Sequence, residues 1–279
     1  MIIIRLSSGM GNQLFMYSFF LYIKKLYDVE VYFDDKYYKC DRFGRKSDIS
    51  ILLPNYPVYR FRFNPAGERG LKRIMYEWKQ KIVPTFKYIN EIDFDDKLRY
   101  EGDIYLNGFW QTDKYVNEIG SDAFIPKENP PIKLLPYLSK VNEEDIPVSI
   151  HFRRTDYFSP KYVNRYGVCT TSYYIEAMDY INSLYEKAVY YVFSDDIEWV
   201  KQNIKFQRPA VYVPNFDINP YWYIYLMSRC KHQIISNSTF SWWGAYLNKS
   251  EKKVVITPDK WTLDSSETIA LKEWIKIET

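Results

Sequence analysis

The chain is short of the residues that build metal and disulfide sites. It has 2 histidines and 3 cysteines in 279 residues. Cys40, Cys169 and Cys230 are far apart and odd in number, which excludes a zinc word and a disulfide framework and suits a reducing compartment. A long apolar run is also missing, so no membrane-spanning segment is expected. The opening "MIIIRLSSGMGN" has no basic stretch followed by an apolar one, so no signal peptide is expected. Net charge is only +3, from 38 basic and 35 acidic residues, which gives no footprint for nucleic acid. What the chain does hold is aromatic: 28 Tyr, 17 Phe and 8 Trp. An aromatic core accounts for most of these; sugar stacking and peripheral membrane contact stay open.

Hydrophobic residues at 47% and charged residues at 26% describe a globular chain, long enough for two domains. "MIIIRL" reads as a buried strand and "SSGMGNQ" as a turn. "QLFMYSFFLYIKKLY" reads as a helix capped by Ser8 or Asn12, and "VEVYFD" as the next strand. From Asp34 to about Tyr100 the pattern is irregular, with a helix expected over "ERGLKRIMYEWKQKI". "DIYLNGFW" is a further strand, followed by a helix from near Thr112. The proline-rich "PKENPPIKLLPYLSKVNEED" reads as a crossing between halves. Beyond it strands and helices alternate regularly from "IPVSIHF" to "KKVVITP", and "ETIALKEWIKI" closes the chain as a helix or packed tail. The expectation is an α/β chain of two Rossmann-like domains facing a cleft, 1–130 and 131–279, with parallel sheets and ligands at strand carboxyl ends.

Four polar words stand at such ends. In "SSGMGNQLF", Gly9 and Gly11 allow close backbone approach, and Asn12 and Gln13 offer amides. Leu14 occupies the third glycine position of a dinucleotide fingerprint, and no phosphate-loop lysine follows. A plain tight turn explains the word equally well. In "HFRRTDY", two arginines at one strand end suit a diphosphate. Arg154 and Asp156 could instead form a structural ion pair, or Asp156 could serve as a general base. His151 reads as a satisfied strand-end histidine rather than a metal ligand, since His232 is the only second imidazole.

In "VFSDDIEW", Asp195 and Asp196 can accept from a guanine edge or a ribose; one of them also suits the cap of the next helix. In "ISNSTFSWWGAYL", Ser236, Asn237, Ser238 and Thr239 close a strand and open a helix, whose free N–H groups with the hydroxyls favour an anion. The alternative is a multiply capped helix. Arginines and a helix start together suit a nucleotide-linked donor without a metal. The nearest acidic cluster, "DFDD" at Asp93 to Asp96, lies in the irregular half.

"GMGNQLFMYSFF", "HFRRTDY", "YVFSDDIEWV" and "ISNSTFSWWGAYLN", in that order, resemble the alpha-1,2-fucosyltransferase family, glycosyltransferase family eleven. The resemblance runs from about Ile2 to Trp261. It implies a GT-B type fold, GDP-β-L-fucose as donor, the 2-hydroxyl of a β-galactoside in a glycan as acceptor, inverting transfer and no metal or other cofactor. The alternatives are another nucleotide sugar or linkage, or a non-catalytic nucleotide- or glycan-binding module. Carried onto this chain, Arg153 meets the diphosphate, Arg154 supports it, and Asp156 is the nearest base. Asp195 or Asp196 meets the guanosine. Ser238, Thr239 and their neighbours Asn237 and Phe240 lie along the phosphates, with His151 in the arginine word. Gly9, Gly11, Asn12 and Gln13 stand near the transfer centre. Ser7 and Ser8, Thr155 and Met16 depart from the usual pattern; the first two departures touch loop shape more than chemistry and bear on acceptor preference. A bacterial, cytoplasmic setting at the inner face of the membrane, in O-antigen or capsule assembly, goes with the resemblance.

Overall fold

The computed structural model describes residues 1–39, 41, 44–60, 86–97, 101–154, 167, 169–263 and 268–279. The helix expected over 68–82 and the candidates Thr155 and Asp156 lie outside these residues. The chain divides into two compact units, Met1–Glu128 and Asn129–Thr279.

The first unit has strands β1 (Ile2–Arg5), β2 (Val31–Asp34), β3 (Lys87–Asn90) and β4 (Ile104–Asn107), with helices α1 (Met10–Leu26) and α2 (Asp113–Ile119). The sheet order is β2-β1-β4-β3, and every pairing is parallel. The apolar run of β1 is buried, as a parallel strand covered on its faces must be. Helix α1 is buried along most of its length because aromatic rings meet it from several sides. Phe20 stacks on Phe33 of β2 at 4.4 Å, and Phe19 on Trp110 at 3.7 Å. Each such ring contributes roughly 1.5–3 kcal/mol by burial. The cap of α1 is Gly9 with no side-chain bond, rather than Ser8 or Asn12. Asn12 falls inside the first turn, and Ser8 stands before it with φ 69°.

The second unit begins with α3 (Leu135–Glu143), inside the segment expected to be a crossing. Pro136 sits in its first turn, where the missing N–H has no helical partner to lose. There follow β5 (Ile146–Phe152), α4 (Thr171–Leu184), β6 (Ala188–Ser194), α5 (Ile197–Asn203), β7 (Ala210–Tyr212) and α6 (Tyr221–Arg229). Next come β8 (His232–Ile234), α7 (Thr239–Tyr246), β9 (Val255–Pro258) and β10 (Ile275–Ile277). Of the helix or packed tail expected at the close, residues 268–279 show the tail: Trp274 and Ile277 are buried, and Ile275–Ile277 pairs with β9. The order is β10-β9-β8-β5-β6-β7, all parallel.

Strand β5 is the centre, and its alternation decides what each face meets. Val148, Ile150 and Phe152 enter a core with Tyr173, Tyr174, Ala177 and Ile181 of α4. His151 points to the other face. Helices α6 and α7 pack closely because position 244 is glycine: a Cβ there would stand 2.7 Å from that of Met227. Trp110, Trp222, Trp242 and Trp243 are fully buried, so these indoles are core.

Candidate active site

In the second sheet the chain runs outward from β5 through β6 to β7, then returns to β8 on the other flank of β5. Connections leave β5 and β8 in opposite directions, which opens a crevice at their carboxyl ends. The arginine word ends β5, the acidic word ends β6, and the Asn-Ser-Thr word ends β8.

Asp195 ties the first two words together. Its Oδ2 is 3.2 Å from Arg153 Nη1, and its Oδ1 accepts from the backbone N–H of Arg154 at 2.9 Å. Asp196 has the other duty expected of this pair. It caps α5, accepting from the Trp199 N–H at 3.1 Å, and its second oxygen is 4.0 Å from Arg154 Nε. The Arg154 guanidinium lies flat over the Trp199 ring, 3.2 Å from its centre. Burial lowers the pKa of Arg154, opposed by the Asp196 and Asp195 carboxylates. Arg154 is therefore a seated, bracing arginine with 15% of its side chain exposed, whereas Arg153 shows 27% to solvent. Of the two, Arg153 is the more exposed.

His151 is buried, with Nδ1 2.9 Å from Ser236 Oγ and its ring 5.7 Å from that of Phe240. Burial, with the nearby Arg153 charge, pushes its pKa down to about 3, so it is neutral near pH 7. It joins β5 to the end of β8 and has no second imidazole. His232 starts β8, pairs in register with Val148 near the opposite end, and accepts from the Val254 N–H. Asn237 is occupied internally: its amide donates to Trp261 O at 3.3 Å and accepts from Cys169 Sγ at 3.6 Å. Ser238 caps α7 through the Phe240 N–H, and Thr239 and Phe240 are half-buried on its first turn.

In the first unit the glycine word stands at the carboxyl end of β1. Gly9 has φ −80°, so it is not glycine for the sake of a left-handed turn; an added Cβ would meet nothing within 4 Å. Gly11 lies buried in α1. Gln13 is fully buried. Its amide donates to Lys46 O and Ser8 O and accepts from the Asp48 N–H, which clamps the 44–48 loop onto the turn. Asn12 donates to Ser8 Oγ at 2.9 Å and accepts from Gln111 Nε2 at 2.7 Å.

The acidic word "DFDD" does contain one Asp-x-Asp spacing, Asp93 and Asp95. Both are exposed. Asp95 caps the Lys97 N–H, and Asp96 is held by Tyr22 and Lys114. Among the described residues no three His, Cys, Asp or Glu side chains group as a metal site. Sequence reading missed Trp199, Gln111 and the pairing of Ser236, one of the expected strand-end hydroxyls, with His151. Trp199 was findable, three residues after a capping acid; the other two depend on contacts distant in the chain.

The model of the family "Glycosyl transferase family 11" matches residues 75–278. The chain is 29% identical over 301 aligned positions to "O-antigen biosynthesis glycosyltransferase WbnK" of Escherichia coli, covering 98% of this chain and 99% of the relative. It is 30% identical over 312 positions to "Alpha-1,2-colitosyltransferase" of Escherichia coli, covering 99% of each. A shorter match, 30% over 138 positions, covers 47% of this chain and 38% of "Galactoside alpha-(1,2)-fucosyltransferase 1" of Saimiri boliviensis boliviensis. In fold the chain is similar to fucosyltransferase NodZ from Bradyrhizobium, with TM-score 0.52, 12% identity, and 87% and 91% of the two chains covered. It is likewise similar to POFUT1 in complex with GDP, with TM-score 0.51, 11% identity, and 92% and 97% covered. The α/β, parallel-sheet architecture of GT-B type expected from the sequence is the one these fucosyltransferases share. With its four polar words in order and two relatives aligned end to end, the chain belongs to glycosyl transferase family 11.

Proposed function

We propose that this family 11 glycosyltransferase moves L-fucose from GDP-β-L-fucose to the 2-hydroxyl of a β-galactoside in a glycan acceptor, with inversion and without a metal. The observation that carries the reading is Arg153, aligned by Asp195 at the carboxyl end of β5, the strand next to β8, which leads into α7. The acceptor oxygen attacks the anomeric carbon on the face opposite GDP. The bond to the diphosphate breaks, and its electron pair leaves with GDP. Arg153 and the N–H groups opening α7 stabilise that growing charge. The acceptor proton passes to a base, for which Asp156 is the candidate, or leaves late to solvent. Asp196, Ser238, Thr239 and Phe240 supply the remaining donor contacts in this reading.

A second reading differs only in the sugar. A relative of 30% identity over the whole chain is a colitosyltransferase, so GDP-colitose is the competing donor. A cytoplasmic setting at the inner face of the membrane goes with either reading; among the described residues no helix is long and apolar enough to cross a bilayer. The test is incubation with GDP-fucose or GDP-colitose, a panel of β-galactosides and excess chelator, followed by mass and linkage analysis. A fucosylated product linked at the 2-hydroxyl is expected. Transfer only from GDP-colitose selects the second reading. Activity lost in chelator and restored by manganese overturns metal independence.

A further inference from the structure

Among the described residues, three that are not glycine have left-handed φ, and two of them stand at the carboxyl ends of adjacent strands. Ser8, at 69°, follows β1, and Trp110, at 56°, follows β4. A side chain in this region is strained and persists only where its surroundings impose it. For Trp110 the surroundings are plain: the indole is 1% exposed and stacked on Phe19. Its backbone is further tied by the Thr112 N–H to Trp110 O bond, at 2.9 Å. The outcome of this strain is the direction of the next side chain, Gln111.

Gln111 Nε2 donates to Asn12 Oδ1, and Asn12 Nδ2 donates to Ser8 Oγ. Ser8, itself strained, and Gln111, the residue after strained Trp110, thus hold one amide between them, where the first sheet's order places β1 beside β4. Asn12 is half-buried, and among the described residues no acceptor takes its second Nδ2 hydrogen. We infer that Gln111 is a positioning residue for the transfer reaction: by donating to Asn12 Oδ1 it aims the N–H end of the Asn12 amide at a neutral sugar oxygen.

This rests on the glycosyl-transfer reading above and adds a residue to it. Turned end for end, Asn12 would face Gln111 with Nδ2, and residue 111 would have to accept. A glutamate can only accept, at nearly unchanged size. Gln111→Glu therefore selects the turned amide. A purely structural Gln111 would change the melting temperature and leave kcat alone.

The experiment measures kcat, donor KM and the GDP-induced melting shift for wild type, Q111E, Q111M, N12A and N12A/Q111E. The donor is whichever of GDP-fucose or GDP-colitose wild type turns over. Q111E should lose roughly ten- to a hundredfold in kcat, the scale of a small misplacement of a reacting group, with the GDP shift retained. Q111M should lose an intermediate amount, and N12A/Q111E should be no worse than N12A, because the second residue acts through the first. Q111M replaces Q111E in that cycle if the glutamate variant does not fold. An active wild type with Q111E and Q111M at full kcat overturns this inference alone, as does a double variant whose losses multiply. A wild type idle on both donors overturns the parent reading, and this one with it.

Discussion

Arg153 and Asp195 meet at 3.2 Å across the ends of two neighbouring strands, and the same carboxylate holds the backbone N–H of Arg154. One acid thus sets the direction of one arginine side chain and the start of the next residue. In the proposed reaction, a guanidinium held this way would meet the diphosphate with little reorganisation left to bear.

Removing that guanidinium should cost most in the transition state. R153A is expected to lose about a hundred- to a thousandfold in kcat/KM, by analogy with the loss of one preorganised donor. R153K should recover part, since lysine restores charge without the planar fork. Circular dichroism melts should move by only a few degrees, because Arg153 is not core. A folded R153A with near-wild-type kcat/KM would remove the residue from the site.

Nucleotide selectivity can be read without an acceptor. GDP should raise the melting temperature by mass action, and UDP at the same concentration should do so far less. Equal shifts, or a larger one with UDP, count against the guanine assignment.

Asp156 follows the arginines by two residues. Two roles are open to it, a base for the acceptor or a further brace for Arg154, which already rests on Trp199 and beside Asp196. If it is the base, D156N lowers kcat by about 10²–10⁴ while the GDP-induced shift holds. Parallel losses of GDP affinity and melting temperature would make it a brace for Arg154 instead.

Acid should weaken the fold partly through His151. Its pKa is pushed from 6.5 down to about 3 in the folded chain, so below 6.5 the unfolded chain binds the extra proton. The contribution is complete above about pH 6.5 and is lost as pH falls towards 3; His232, lowered to about 4, acts in the same direction. Asp48, raised to about 6 by burial, opposes them. The comparison is therefore between variants: between pH 7 and 5, H151Q should lose less stability than wild type, by on the order of 1–2 kcal/mol. Parallel melting curves for the two proteins would contradict a buried neutral His151.

The sequence alone determined what local rules control. Alternation put Phe152 in the core and His151 on the opposite face of β5, the acidic word carried a helix cap, and strand-helix alternation made the second sheet parallel. Local signals misled where one residue type serves two ends. Pro136 lies in a segment that read as a crossing but opens a helix, and Ser8 and Asn12 read as caps where Gly9 begins α1. Which acid meets Arg153, which hydroxyl meets His151 and which amide meets Asn12 were decided only by the tertiary structure. Those partners lie 42, 85 and 99 residues away along the chain, and only the order of the strands in the sheets brings them together.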